Sequence, residues 1–408
     1  MDHVVPVLHN LSQYPFFRFM RLAAEPRCPF WEDDGLCAMR NCAIDECEDD
    51  DVPATLRSAS GYPGGGGGDD VDMSPLRYDE AVEDGRLDVT LLPDRFPGEW
   101  KETKENRWTD LSGIGGDGDG DDVELIYVDL LRNPERFTAY GGFSAHRIWR
   151  SIYHENCFER DDVCYEKRIF YRMISGMQSS IAAHLSEVYL HEDGEWGPNV
   201  ALYNERLGAH EERIGNLYLL YLMVLRAVTS AAEPLLRYDY STGNATDDAA
   251  VQRLVRDLLG RHDITAACPA TFDEQTMFHG LDAAELREDV RGKFYNITRI
   301  MSCVGCDKCR LWGTIQVTGI GAALKILFGF DDPQVAVDSL QRVEIIALFQ
   351  VLTKLSESVD TVRKMRSRYL YMKLLGYTRS VGTVVFVLGI AYLAYVSAKS
   401  KRARPKTD

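Results

Sequence analysis

From Ala145 onward the apolar positions fall on a helical repeat, with Phe170, Met173, Ile174, Met177, Ile181 and Leu185 keeping one face over four turns. The stretch Ile214 to Val228 is apolar nearly all round and predicts a buried core helix. Its length and the presence of Arg226 exclude a membrane span there. Glu285 to Met301, Leu311 to Phe328 and Val335 to Met372 continue the helical pattern, and polar gaps such as Tyr240 to Asp248 separate the helices. Val123 to Leu131 has strand-like or short-helix character. Before it, the acidic run Glu48 to Asp51 and the low-complexity stretches Gly64 to Asp70 and Gly113 to Asp122 predict a loop-rich first third. At the other end, Val381 to Ala398 is uncharged and apolar, and reads as a single membrane helix covering about 27 Å. The predicted class is all-α: one helical domain, a loop-rich N-terminal third and a C-terminal transmembrane helix. The boundaries are residues 1–52, an N-terminal segment with cysteines; 53–122, acidic Gly-rich loops; 123–376, the helical core; 381–398, the span; and 399–408, a basic tail.

With 408 residues and 45% hydrophobic content the chain can bury a substantial core. A net charge of −17 argues against a nucleic-acid partner, because phosphate tracking needs a basic surface. Basic residues flank the span on both sides, Arg363 to Arg379 before it and Lys399 to Lys406 after it, so charge alone leaves its orientation open. The N-terminus shows no basic segment followed by an apolar core and a small-residue cleavage site; the sequence is expected to begin downstream of the true start. Sequons at Asn10, Asn244 and Asn296 permit glycosylation in a secretory compartment. Asp117, Asp119 and Asp121 alternate as in a calcium loop but lack the glycine and glutamate register of one, and are expected to be a solvated acidic loop.

Ten cysteines in motif-like groups imply an oxidising compartment or metal ligation. Cys303-Val-Gly-Cys306-Asp-Lys-Cys309 places three of them just before a long apolar run. A CxxC pair at a helix start is held close enough for a disulfide, and the helix N-terminus stabilises the thiolate that attacks or leaves. Zinc needs four donors, the usual second CxxC is missing, and Cys37-x4-Cys42-x4-Cys47 is not a zinc-knuckle rhythm; disulfide or redox use is the main expectation and no metal site is assigned. Arg226 inside an apolar helix needs an anion, either a carboxylate or a phosphate. Glu135-Arg136-Phe-Thr138-Ala-Tyr140 followed by Trp149 supplies another guanidinium, a hydroxyl and an aromatic plane, which together suit a dinucleotide.

The strings Cys28-Pro-Phe-Trp, Cys37-x4-Cys42-x4-Cys47, Glu135-Arg-Phe-Thr-x-Tyr, Ile148-Trp-Arg-Ser-Ile-Tyr-x-Glu-Asn-Cys157-Phe, Cys164-x-Glu-Lys-Arg-x-Phe-Tyr-Arg-x-Ile-Ser175-Gly and Cys303-Val-Gly-Cys-x-Lys-Cys-Arg-Leu-Trp-Gly resemble, in order, those of the endoplasmic reticulum oxidoreductin family. The resemblance runs from about Tyr14 to Leu355. It implies a flavin-binding helical domain with FAD as cofactor, and a thiol oxidase that oxidises protein disulfide isomerase and passes electrons to dioxygen, forming hydrogen peroxide. It implies that Cys306 and Cys309 form the active-site disulfide, Cys37 and Cys42 the shuttle pair, Cys28 with Cys303 a structural bridge and Cys157 with Cys164 a local one. Arg136, Thr138, Trp149, Ser175, Arg226 and Arg237 match FAD contacts of the family, and Gln178 stands where the family has a flavin-contacting histidine.

Gln178 can hydrogen-bond but cannot carry charge. The resemblance leaves Cys47 and Cys268 without assigned partners: Cys47 could close on Cys42 or on Cys268, and a regulatory cysteine of the family is missing. The implied location is the endoplasmic reticulum membrane with the catalytic domain lumenal. The tail Arg404-Pro-Lys406-Thr-Asp408 loosely resembles a basic retrieval signal read in the cytosol. Two alternatives stand beside the oxidase: a membrane-anchored, non-catalytic thiol-disulfide binding protein on the same scaffold, and a zinc-binding scaffold.

Overall fold

The computed structural model describes residues 4–23, 28, 30, 108–111, 125–135, 142–156, 158, 162–191, 194–260 and 272–402. The chain opens with α1 (Val4–Leu11) and α2 (Pro15–Arg18), then β1 (Phe19–Ala23). After it come β2 (Leu125–Asp129), α3 (Gly142–Asn156), α4 (Tyr165–Glu187) and a two-residue hairpin of β3 (Tyr189–Leu190) and β4 (Trp196–Gly197). There follow α5 (Val200–Tyr203), α6 (Glu211–Ser230), α7 (Ala232–Arg237), α8 (Ala245–Leu259) and α9 (Ala283–Ile300). The last helices are α10 (Asp307–Phe328), α11 (Pro333–Asp338) and α12 (Arg342–Arg402).

Four helices form the centre: α4 packs on α6, α10 packs on α12, and each of α10 and α12 also packs on α6. The apolar stripe of α4 supplies Phe170, Met173, Ile174 and Met177, all buried, and α6 adds Leu217, Leu220, Val224 and Val228. Two glycines let backbones meet. A Cβ on Gly319 of α10 would run into the carbonyl of Ala347 on α12, and one on Gly176 of α4 into the carbonyl of Asn216 on α6. Helix starts are set by local chemistry: Asn244 accepts from the amides of Thr246 and Asp247 at the head of α8, and Asp332 precedes Pro333 at the head of α11.

The helical class agrees with the sequence pattern, with three differences. Val4, Val7, Leu8 and Leu11 are buried on one face of α1, an i, i+3, i+4, i+7 set within the segment expected to be loop-rich. β1 and β2 pair antiparallel, Phe19 opposite Asp129 through Ala23 opposite Leu125, and Arg18 forks onto Asp129 with Nε 2.9 Å from Oδ1. The helix expected over Val335 to Met372 is interrupted: Gln341 N donates to Glu344 Oε2 at 2.8 Å, starting α12 afresh after α11.

From its new start α12 runs to Arg402 without a break. Its first half is core: Ile345, Ile346, Leu348, Leu352 and Met365 are at most 1% exposed. Beyond Met365, side chains such as Leu374, Val385, Phe386, Leu388 and Tyr392 are more than half exposed. This half is long and apolar enough to cross a membrane, whereas α10 passes the same test with 72% of its apolar window buried inside the protein and is a core helix.

Candidate active site

A 3-10 turn, Met301–Cys303, leads from α9 into the start of α10. Cys303 is 1% exposed and forms a disulfide with Cys28, their Cα atoms 4.4 Å apart. Cys306 is the N-cap of α10 and forms a disulfide with Cys309 at a Cα separation of 5.1 Å; the Cys309 amide donates to Cys306 Sγ at 3.4 Å. The aligned peptide dipoles and unsatisfied amides of this helix end favour negative charge, so reduction of the bridge leaves a thiolate where it is stabilised. Arg310 clips the approach, Nη1 to the Val304 carbonyl at 3.0 Å and Nη2 to Asp307 Oδ1 at 2.5 Å. Cys306 is fully enclosed while Cys309 keeps some exposure, so the two sulfurs are not equivalent. With all three sulfurs of this segment in disulfides, the zinc scaffold has no thiolates here to ligate a metal.

Facing residues of α3, α4 and α6 build a polar and aromatic cradle. Trp149 and Tyr153, one turn apart on α3, lie with ring centroids 6.3 Å apart, and Tyr153 lies 6.1 Å from Tyr171. The Tyr153 hydroxyl donates to Gln178 Oε1 at 2.7 Å, and burial pushes the phenol's pKa up, so it stays a donor. Gln178 is exposed between the buried Met177 and Ser179, which marks open space beside this face of α4. Ser175 Oγ accepts from Asn216 Nδ2 at 3.0 Å, and Asn216 Oδ1 in turn accepts from Arg172 Nε at 2.8 Å. Tyr153 and Asn216 were not singled out from the sequence. Tyr153 was legible as the residue one turn after Trp149, while Asn216 had no signal within a helix that reads as apolar.

The structure therefore brings Trp149, Ser175 and Gln178 together through Tyr153. The two other described residues of the dinucleotide set, Arg226 on α6 and Arg237 on α7, have carboxylate partners of their own. Arg226 is held bidentately by Glu274, with Nη2 2.7 Å from Oε1, so the anion required by its burial is a carboxylate; that oxygen pair has the geometry a phosphate would offer. Arg237 is exposed and pairs with Glu233 one turn earlier on α7. Arg136, Thr138, Cys37, Cys42, Cys47, Cys157, Cys268 and the acidic Gly-rich stretches lie outside the described residues. Cys157, the partner expected for Cys164, lies outside the described residues, and Cys164 itself carries a free thiol. As N-cap of α4 its sulfur is 3.3 Å from Glu166 Oε2, a local hydrogen bond that satisfies the thiol. The sequon Asn296 is also engaged, its Nδ2 donating to Glu155 Oε1 at 2.7 Å, whereas Asn10 and Asn244 are exposed.

A flavin dinucleotide needs an aromatic plane, hydrogen-bonding partners at its ring edge and cations near its pyrophosphate. Trp149, Tyr153, Ser175 and Gln178 fit the first two needs, on the observation that Gln178 and Trp149 retain exposure among otherwise buried helices.

Against known proteins, the family model described as Endoplasmic Reticulum Oxidoreductin 1 (ERO1) matches residues 3–362. Endoplasmic reticulum oxidoreductin-1 of Arabidopsis thaliana is 41% identical over 366 residues, covering 88% of this chain and 75% of the relative. The Ero1-like protein of Drosophila melanogaster is 36% identical over 425 residues, covering 89% and 85%. Among solved structures, a mutant of S. cerevisiae Ero1p with cysteines replaced by alanine superposes with a TM-score of 0.64 at 29% identity, over 91% of this chain and 97% of that one. Another structure of Ero1p, described as a source of disulfide bonds for oxidative protein folding, gives the same TM-score at 27% identity, with the same coverage. Helix order, the disulfide at the head of α10 and these relatives lead to one conclusion: the chain belongs to the endoplasmic reticulum oxidoreductin family.

Proposed function

We propose that this chain is an FAD-dependent thiol oxidase that makes disulfides for oxidative folding by oxidising a protein disulfide isomerase or a similar thioredoxin-fold protein. The observation that carries the reading is the Cys306–Cys309 disulfide capping a buried helix, next to the Cys28–Cys303 bridge that ties the N-terminal cysteines to that helix.

In this reading the partner's thiolate attacks the Cys37–Cys42 disulfide. The mixed disulfide is resolved by the partner's second thiol, leaving the partner oxidised and Cys37 and Cys42 reduced. A thiolate of that pair then attacks the Cys306–Cys309 bond, and the second exchange restores Cys37–Cys42 and leaves a dithiol at the head of α10. The helix N-terminus holds the resulting thiolate ionised at neutral pH. Bound FAD supplies the acceptor for the two electrons of that dithiol and the route by which dioxygen becomes hydrogen peroxide. Trp149 would supply an aromatic face, Ser175 and Gln178 polar contacts, and Arg136, Thr138, Arg226 and Arg237 contacts toward the rest of the dinucleotide. The apolar half of α12 would anchor the protein in the endoplasmic reticulum membrane with the core in the lumen.

The full chain, purified in detergent, should show a flavin absorbance spectrum and consume oxygen when given reduced disulfide isomerase. Cys306→Ala should keep the colour and lose oxygen uptake. A folded but colourless wild type would instead favour the non-catalytic binding protein, and an active Cys306→Ala would move the site elsewhere.

A further inference from the structure

Between α12 and α10 lies a cluster of charges that the relay does not use. Lys354 points inward from α12 with its side chain only 15% exposed and forms an ion pair with Glu135, whose side chain is 4% exposed. The other oxygen of that carboxylate, Oε1, accepts from Gln316 Nε2 on α10 at 2.9 Å. Glu357 sits 3.9 Å from the Lys354 ammonium and pairs on its other side with His9 of α1.

The position of Glu135 gives the cluster its interest. It immediately precedes Arg136 and lies three residues before Thr138, and two residues before it the Asn133 carbonyl accepts from Trp312 Nε1 at 2.7 Å. Asn133 is itself fully buried and donates from Nδ2 to the Asp129 carbonyl at 3.1 Å. Cys309, Trp312 and Gln316 fall at i, i+3 and i+7 of α10, one stripe of that helix. The turn 133–135 is thus fastened at two points to the stripe that carries a redox cysteine, and the ammonium of Lys354 closes the fastening from behind.

Stability alone is a poor reason to keep such a pair. Removing two charges from water costs about as much as their attraction returns, and apolar replacements of both partners are often neutral or stabilising. Placement is a better reason, because an ion pair with a further hydrogen bond admits one geometry where apolar side chains admit several.

Resting on the flavin reading above, we propose that Lys354 and Glu135 are positioning residues of the oxidase: their ion pair seats the segment leading into Arg136 and Thr138 against the face of α10 that carries Cys309. The pair touches neither thiol nor cofactor. It acts by fixing where the cofactor-holding segment starts.

The test uses the full chain and the double variant Glu135→Leu with Lys354→Met, beside Lys354→Arg. Three quantities are read: the urea midpoint, the dissociation constant for added FAD by fluorescence quenching, and the visible circular dichroism of bound flavin. The expected result is a double variant with a urea midpoint close to wild type, FAD affinity at least tenfold weaker and an altered visible dichroism, with Lys354→Arg restoring both flavin readouts. A folded double variant that binds FAD as tightly as wild type with the same dichroism would overturn the role of the pair while leaving the flavin reading intact. A double variant that does not fold would make the pair structural and equally overturn the proposal. A wild type that binds no FAD would take down both.

Discussion

The head and the middle of α10 do different work with the same helical backbone. At its N-terminus the helix displays two cysteines joined by a disulfide, held by the Arg310 clip and by the Cys28–Cys303 bridge just before it. Ten residues on, Gly319 lets it lie directly on the backbone of α12. The comparison teaches that a reactive helix end needs an immobile helix middle. Changes at the head should alter chemistry and spare the fold, and changes in the middle should do the reverse.

The Cys28–Cys303 bridge straddles this division and gives the largest expected effect on stability. It closes a loop with a sequence separation of 275. Replacing both cysteines by serine should lower unfolding stability by about 5 kcal/mol in the chain-entropy treatment, read as a fall in the urea midpoint. An unchanged midpoint would mean that the loop is closed by packing instead. Next comes Gly319→Ala, whose methyl group meets the Ala347 carbonyl and Val351. It should cost about 3 kcal/mol while oxygen uptake per folded molecule is unchanged. A loss of turnover without a loss of stability would blur the head and the middle of the helix.

Smaller effects sharpen the comparison at the polar cluster behind the helix. The Glu357 carboxyl titrates at about 2, because burial works against its charge but the His9 hydrogen bond and the nearby Lys354 and His184 outweigh it. Its folded pKa is depressed, so its contribution to stability is complete above the ordinary carboxylate pKa and is lost as pH falls through 4.5 toward 2. Burial lowers the His184 pKa, which adds to the loss as pH drops below 6.5. His9 has its pKa raised chiefly by the Glu357 bond; its contribution is present below 6.5 and fades as pH rises through the raised value. Glu357→Gln should therefore cost about 2 kcal/mol at pH 6, and the gap to wild type should narrow in urea titrations taken below pH 4. The smallest effect belongs to Gln178→His. The side chain is exposed, so stability should move by less than about 0.5 kcal/mol. The variant should nevertheless acquire an inflection near pH 6.5 in its oxygen-uptake profile where the wild type is flat.

Much of the framework was legible in the residues. The stripe from Phe170 to Leu185 predicts the buried face of α4, and the all-round apolar run predicts the core position of α6. What was not legible depends on partners far apart in the chain. Nothing near Phe19 announces that its strand pairs with Asp129, and nothing near Arg226 announces Glu274. Lys354 reads as a surface charge within an amphipathic helix, since a single lysine carries no mark of the carboxylate it will meet. In the candidate site the cysteine spacing carried the signal because covalent chemistry constrains spacing. Asn216 orients other residues, a task that leaves no fixed motif.

The bridge from Cys28 to Cys303 also acts as a leash. It anchors the chain three residues from Cys306, and Cys37 follows nine residues after the anchor at Cys28. Nine residues at full extension reach about 32 Å, so one Cys37 is confined to a sphere of that radius. Such confinement corresponds to an effective concentration on the order of 10 mM. In the relay proposed above, a free thiol at micromolar concentration would compete with Cys37 for Cys306–Cys309 at a disadvantage of about a thousandfold or more. Covalent connectivity alone thus ranks the donors by distance along the polypeptide, before any gate or recognition surface has to intervene.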